Sequence, residues 1–150
     1  MNSLGHMVTR HVLAPAERAF SYLTDPIKLG RWSLGCFQTF LDEQSGVHSG
    51  TSLFDESQGW FKIDPEPARM LVDYWVGRPD GLAHRISIRV VDGSSVAYDA
   101  GTCLIMMMAW RPAGMGQDRW ERLCASHEAE IWLVKEQIEA EYCAMKPRAE

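Results

Sequence analysis

Apolar residues recur along this chain with two periods, and each change of period marks a change of element. Val8 to Ala14 alternates loosely, with Val8, Arg10 and Val12 on one side, and predicts a first strand. Pro15 opens a short helix running to Thr24. Ala16, Ala19, Phe20 and Leu23 recur there at helical spacing, and Glu17 puts a carboxylate in the first turn, where the helix dipole favours it. Asp25-Pro26 ends that helix and starts another, with Asp25 as the cap and Pro26 as the first residue. The second helix carries Leu29 and Trp32 and stops near Ser33 to Gly35.

The period then falls to two. Strands are predicted over Cys36–Asp42, Val47–Asp55, Trp60–Asp64, Met70–Gly77 and His84–Asp92, separated by Gly-, Ser- and Pro-containing turns. His84–Asp92 alternates most cleanly, with His84, Ile86, Ile88 and Val90 on one face and Arg85, Ser87 and Arg89 on the other. Ser95 to Trp110 is expected to be one long bent strand, kinked at Gly101. Gln117 to about Met145 has no internal Gly or Pro. Trp120, Leu123, Cys124, Ile131, Val134, Ile138 and Tyr142 step by threes and fours along one face of this long helix, and Trp132 and Leu133 widen the stripe.

Strands joined by tight turns make an antiparallel sheet, and helices kept apart from the strands give an α+β domain. A twisted sheet of about seven strands has a concave face, and the long last helix is its natural cover.

The 150 residues fit one domain, 1–150, with 1–6 expected as a flexible N-terminus. A net charge of -5 and no Lys/Arg block argue against nucleic-acid binding, which needs a basic stripe. No stretch reaches the roughly 18 apolar residues that span a bilayer. The start has neither a basic region nor an apolar one of secretory type, so a cytoplasmic protein is expected. Cys36, Cys103, Cys124 and Cys143 show no zinc spacing and read as reduced thiols; no metal and no cofactor is expected. Six Trp, eight Met, five Phe and four Tyr are a large apolar inventory for this length, and they need a core or a ligand cavity.

The run from Val12 to Pro26, VLAPAERAFSYLTDP, followed by Trp32, resembles the opening of the SRPBCC superfamily. That superfamily includes START-related lipid-transfer domains, polyketide cyclase/dehydrase-like proteins and plant pathogenesis-related allergens. The resemblance implies the helix-grip fold, in which a curved sheet wraps the C-terminal helix around an apolar cavity. The superfamily has no universal catalytic motif, so it assigns no active residue here.

In such a fold, alternation nominates cavity-lining residues. From the strands these are Val72, Tyr74, His84, Ile86, Ile88, Tyr98, Leu104, Met106 and Trp110, and from the helix Leu123, His127, Ile131, Val134 and Ile138. His127 lies within the helix stripe and is the candidate general base or ligand contact, with Tyr74 and Tyr98 as hydroxyl partners. Glu130, three residues on, could orient its ring. Of the Met106-Met107-Met108 triplet, Met106 and Met108 are expected on the cavity side and Met107 under the first helices. His6, His11 and His48 read as solvent-facing. The first expectation is therefore a binder of a small hydrophobic or aromatic molecule. A cyclase-like enzyme with His127 as base is the second. The third is a homodimeric or partner-binding module using Trp60 and Trp75, which lie off the cavity face.

Overall fold

The computed structural model describes residues 3–148. Seven strands form one antiparallel sheet: β1 (Gly5–Val12), β2 (Phe37–Asp42), β3 (Val47–Thr51), β4 (Gln58–Glu66), β5 (Leu71–Arg78), β6 (Gly81–Asp92) and β7 (Cys103–Trp110). Strands β2 to β7 run as a continuous meander. β1 closes the far edge by pairing with β7, from Gly5 opposite Trp110 to Val12 opposite Cys103. Two short helices, α1 (Ala16–Leu23) and α2 (Pro26–Leu29), follow β1, and the long α3 (Gln117–Met145) ends the chain. This is the α+β helix-grip architecture.

Local chemistry accounts for the helix boundaries. The Asp25 carboxylate accepts the Ile27 and Lys28 backbone N–H groups at 2.9 and 3.3 Å, and Pro26 needs no such partner. α1 buries Ala16, Ala19, Tyr22 and Leu23 against the sheet, and small residues at two of these positions allow a close approach.

Several boundaries differ from the sequence reading: α2 stops at Leu29 and leaves Trp32 outside it, β3 stops at Thr51 instead of Asp55, and β6 starts at Gly81 instead of His84. Gly5 and His6 are not a loose tail but paired strand residues, opposite Trp110 and Ala109; residues 1 and 2 lie outside the described chain. The long strand expected from Ser95 begins only at Cys103. Between them Gly93 donates to the Thr102 carbonyl at 2.9 Å and the Thr102 hydroxyl donates to the Asp99 carbonyl at 2.7 Å, which folds the segment into a closed loop. β4 runs on through Pro65 to Glu66, longer than expected.

The concave face is one contiguous core. Val12, Phe61, Val72, Tyr74, Ile88, Val90, Cys103, Ile105 and Met107 are all buried, and Ile131, Val134 and Ile138 of α3 meet them from above. Burying a Leu- or Met-sized side chain is worth roughly 1.5–3 kcal/mol. This packed layer is therefore a main source of the fold's stability.

Candidate functional site

The packed layer already holds six of the expected lining residues. Val72, Tyr74, Ile88, Ile131, Val134 and Ile138 are core, and Ile86 packs against them half-buried. The Tyr74 hydroxyl donates to the Leu23 carbonyl at 2.7 Å, and its ring meets Trp32 edge-on at 6.1 Å. It finishes the C-terminal end of α1 and is not free to polarise a substrate.

Five other expected lining residues need correction. In β7 the buried set is Cys103, Ile105, Met107 and Ala109, so Leu104, Met106, Met108 and Trp110 point to the convex side. All eight residues of this strand are apolar, so alternation could not choose a face. Pairing chose it: Met107 lies opposite Ile88 and Val8, both inward. His84 also lies on the convex side. A bulge in β6 leaves Arg85 without an opposite residue, since Tyr74 pairs with Ile86 but Trp75 pairs with His84. This one-residue slip turns His84 outward, where it stacks on Trp75 at 5.6 Å and meets the edge of Trp110 at 4.7 Å. Its Nε2 lies 2.9 Å from the Ser87 hydroxyl and 3.1 Å from Asp73. Tyr98 belongs to the loop before β7, is 41% exposed, and stacks on His11 at 3.7 Å. His127, Tyr74 and Tyr98 are thus not one catalytic set.

Open space and unpartnered polar groups occur nearer the start of α3, where the helix rides over β1. Trp120 Nε1 donates to the Ser3 carbonyl at 2.9 Å and Leu13 N–H donates to Glu139 at 2.9 Å, which pins the helix to the edge strand. Arg10 lies with its guanidinium 4.1 Å over the Trp132 ring, so Trp132 is a half-exposed shelf for a cation and not part of the inner stripe. Between β1 and the first turns of α3 is a hollow of about 360 Å³, lined by His6, Gln117, Trp120, Glu121, Cys124 and Glu128 among others.

His127 sits behind this hollow, 3% exposed, with its ring centre 6.5 Å from that of His6. Burial and the neighbouring His6 push its pKa down to about 4, so the ring is neutral at pH 7. One turn along, Glu130 is equally buried; its Oε1 accepts the Leu34 backbone N–H at 2.9 Å and its Oε2 lies 3.9 Å from His127 Nε2. Burial pushes the Glu130 carboxyl up to about 7, against the opposing pull of the Leu34 N–H. Four buried side-chain atoms have no hydrogen-bond partner among the described residues: His6 Nε2, Arg10 Nε, Trp32 Nε1 and His127 Nδ1. Burial without a partner costs about 1–3 kcal/mol for each such group.

Two residues of this region were missed or underread in the sequence. His6 has the same parity as Val8, Arg10 and Val12, so extending that alternation back two residues turns it inward. Glu130 is read in the sequence only as the i, i+3 neighbour that could orient the His127 ring, and its bond to the Leu34 N–H, delivered by a distant loop, is not visible there. Leu123 borders this end of the helix half-buried. Cys36 and Cys103 are free thiols pushed up to about 12 by burial, which makes them poor nucleophiles.

Comparison with known proteins confirms the fold class. No family model matches the chain, and no curated protein matches it in sequence. Solved structures do match. The chain superposes on the aromatase/cyclase Zhui from Streptomyces sp. R1128 with a TM-score of 0.65 and 17% identity, over 91% of this chain and 94% of that one. A START superfamily protein from Mycobacterium smegmatis gives a TM-score of 0.58 and 12% identity, over 95% and 99% of the two chains. Protein XoxI from Bacillus cereus gives 0.67 and 10%, over 91% and 96%. The likeness is one of fold, the helix-grip architecture described above. No helix among the described residues is long and apolar enough to cross a membrane.

Proposed function

We propose that the protein binds a small, largely apolar molecule that enters through the hollow between β1 and the first turns of α3 and reaches toward His6 and His127. The observation that carries this reading is the hollow itself. Its volume of about 360 Å³ lies at the lower end of the range of small-molecule sites, and an indole, a thiol and an imidazole share its wall. The centre of the concave face is a weaker candidate, because its side chains pack against one another. The START-like fold is compatible with such binding.

The cyclase-like reading has less support. A His127 held near pKa 4 is neutral at pH 7 but a weak base. Tyr74 is committed to Leu23 and Tyr98 lies outside, so neither stands beside it as a carbonyl donor.

Native mass spectrometry of the purified protein against a library of aromatic and acyl compounds tests the binding reading. A one-to-one complex is expected, with quenching of tryptophan fluorescence that Trp120→Phe removes. A protein that takes up no member of the library overturns it.

A further inference from the structure

The edge strand β1 uses only one side of its backbone, and the pattern on the other side is specific. The Arg111 N–H donates to the Leu4 carbonyl at 2.8 Å, one step beyond the pairing of Gly5 with Trp110. Bonded pairs alternate along an antiparallel ladder. The even residues of β1 therefore bond to β7, and the odd residues turn their N–H and C=O groups to the free side. Both ends of that free side are already filled. The Ser3 hydroxyl donates to the Gly5 carbonyl and accepts the Gly5 N–H at 3.3 Å, and Glu139 accepts the Leu13 N–H at 2.9 Å. Between them the N–H groups of Met7, Thr9 and His11 have no partner among the described residues. Arg10 Nη1 donates to the Thr9 carbonyl at 2.7 Å, which leaves that oxygen a second lone pair.

This free stretch, bounded at both ends and centred on Thr9, matches itself when reversed. A second copy of β1, running antiparallel about a two-fold axis at Thr9, sets Met7 opposite the His11 of that copy and Thr9 opposite its own counterpart. Each opposed pair then exchanges both of its free bonds. Any extended strand fits these backbone groups, and the side chains single out the copy. Met7, Thr9 and His11 stand on the convex face, since Val8 and Val12 turn inward. Thr opposite Thr is a favourable cross-strand pair. Met7, 54% exposed, falls on the His11 ring and on Tyr98, which stacks on it and is exposed. On the concave side Arg10 lies over the exposed ring of Trp132, so the pairing draws Trp132 of both copies toward the axis. The single chain leaves all three of these large side chains in water.

We propose that two copies of the chain pair through β1, joining their sheets edge to edge. The proposal concerns the strand edge and stands independently of the binding reading above. Main-chain bonds along an added strand supply the affinity, and the alternate side chains supply the choice of partner. The stretch from Met7 to His11 is only about 16 Å long, so the pair is a weak one, with a dissociation constant of roughly 10–100 μM.

Sedimentation velocity from about 1 to about 500 μM tests it. The mass should rise from 17.0 kDa toward twice that value. Hydrogen exchange at the Met7, Thr9 and His11 amides should slow about fivefold across the same range. Thr9→Pro removes a donor on the free side and none on the β7 side, so the fold is retained while the dissociation constant rises at least about tenfold. Met7→Lys at an exposed position should do the same, and it keeps the test open if the proline variant does not fold. Circular dichroism checks both variants. Ile27→Glu, exposed on α2 and away from the edge, should leave the pair intact. A wild-type chain that stays monomeric at every concentration overturns the proposal and leaves the edge to a strand of another protein. A dimer that survives in both folded variants, or that forms without slowing the three amides, overturns the assignment to β1.

Discussion

Replacing Glu130 with glutamine separates two buried titrations that oppose one another. The glutamine keeps an oxygen for the Leu34 N–H but cannot ionise. In the wild type the Glu130 carboxyl titrates near 7 instead of 4.5. Its folded value is raised, so its contribution to stability is fully present below pH 4.5 and is lost as pH rises through about 7. In that window the folded chain holds a proton that the unfolded chain has released, and stability falls by up to about 1.4 kcal/mol per pH unit, a few kcal/mol in all. His127 has the opposite sign. Its folded value near 4 lies below the ordinary 6.5, so its contribution is present above 6.5 and is lost as pH falls toward 4. The two slopes offset each other where the windows overlap. Glu130→Gln removes one of them. The variant's stability relative to wild type should therefore climb steadily with pH, by a few kcal/mol from pH 4.5 to about pH 8. Urea unfolding of both proteins at closely spaced pH values measures this, and the difference cancels every shared titration. A difference that is flat across the window, or that falls with pH, refutes the picture of a protonated buried carboxyl.

Two further substitutions test the packing. Met107→Ala should lose about 2–5 kcal/mol, because Met107 is fully buried, whereas Met106→Ala on the convex side should lose less than about 1 kcal/mol. Equal losses in denaturant titrations would show that the assigned face of β7 is wrong. Tyr74→Phe removes the donor to Leu23 and should lose about 1 kcal/mol in the same assay, with the fold retained; an unchanged midpoint would mean that bond contributes nothing.

Much of the architecture was legible because amphipathic elements declare their period. The end-to-end span of α3 and the cap at Asp25 followed from spacing and residue type alone. What was illegible has identifiable causes. β7 is apolar at every position, so its face depends on the register with β1 and β6, which is non-local. The Arg85 bulge inverts the phase of β6 partway along, and an alternation count carries His84 to the wrong side. The candidate site suffered most. His127 was picked out by its place in the helix stripe, but its neighbour comes from a strand more than a hundred residues earlier and its acid partner is held by the backbone N–H of Leu34. Spacing along one helix cannot reveal groups delivered by two other elements.

The edge strand β1 also determines when this protein can finish folding. Trp120 bonds to Ser3 and Glu139 to Leu13, contacts that span 117 and 126 residues. The hairpins from β2 to β7 join neighbours in sequence and close over short loops. β1 is synthesised first, yet both elements it packs against, β7 and α3, are synthesised last. The loop-closure entropy of that long return falls in the final assembly step and slows it. Until then a growing chain carries an unpaired β7 edge and an uncovered concave face, both adhesive to other chains. Docking of β1 on β7 and of α3 over the concave face is therefore the step that covers both surfaces.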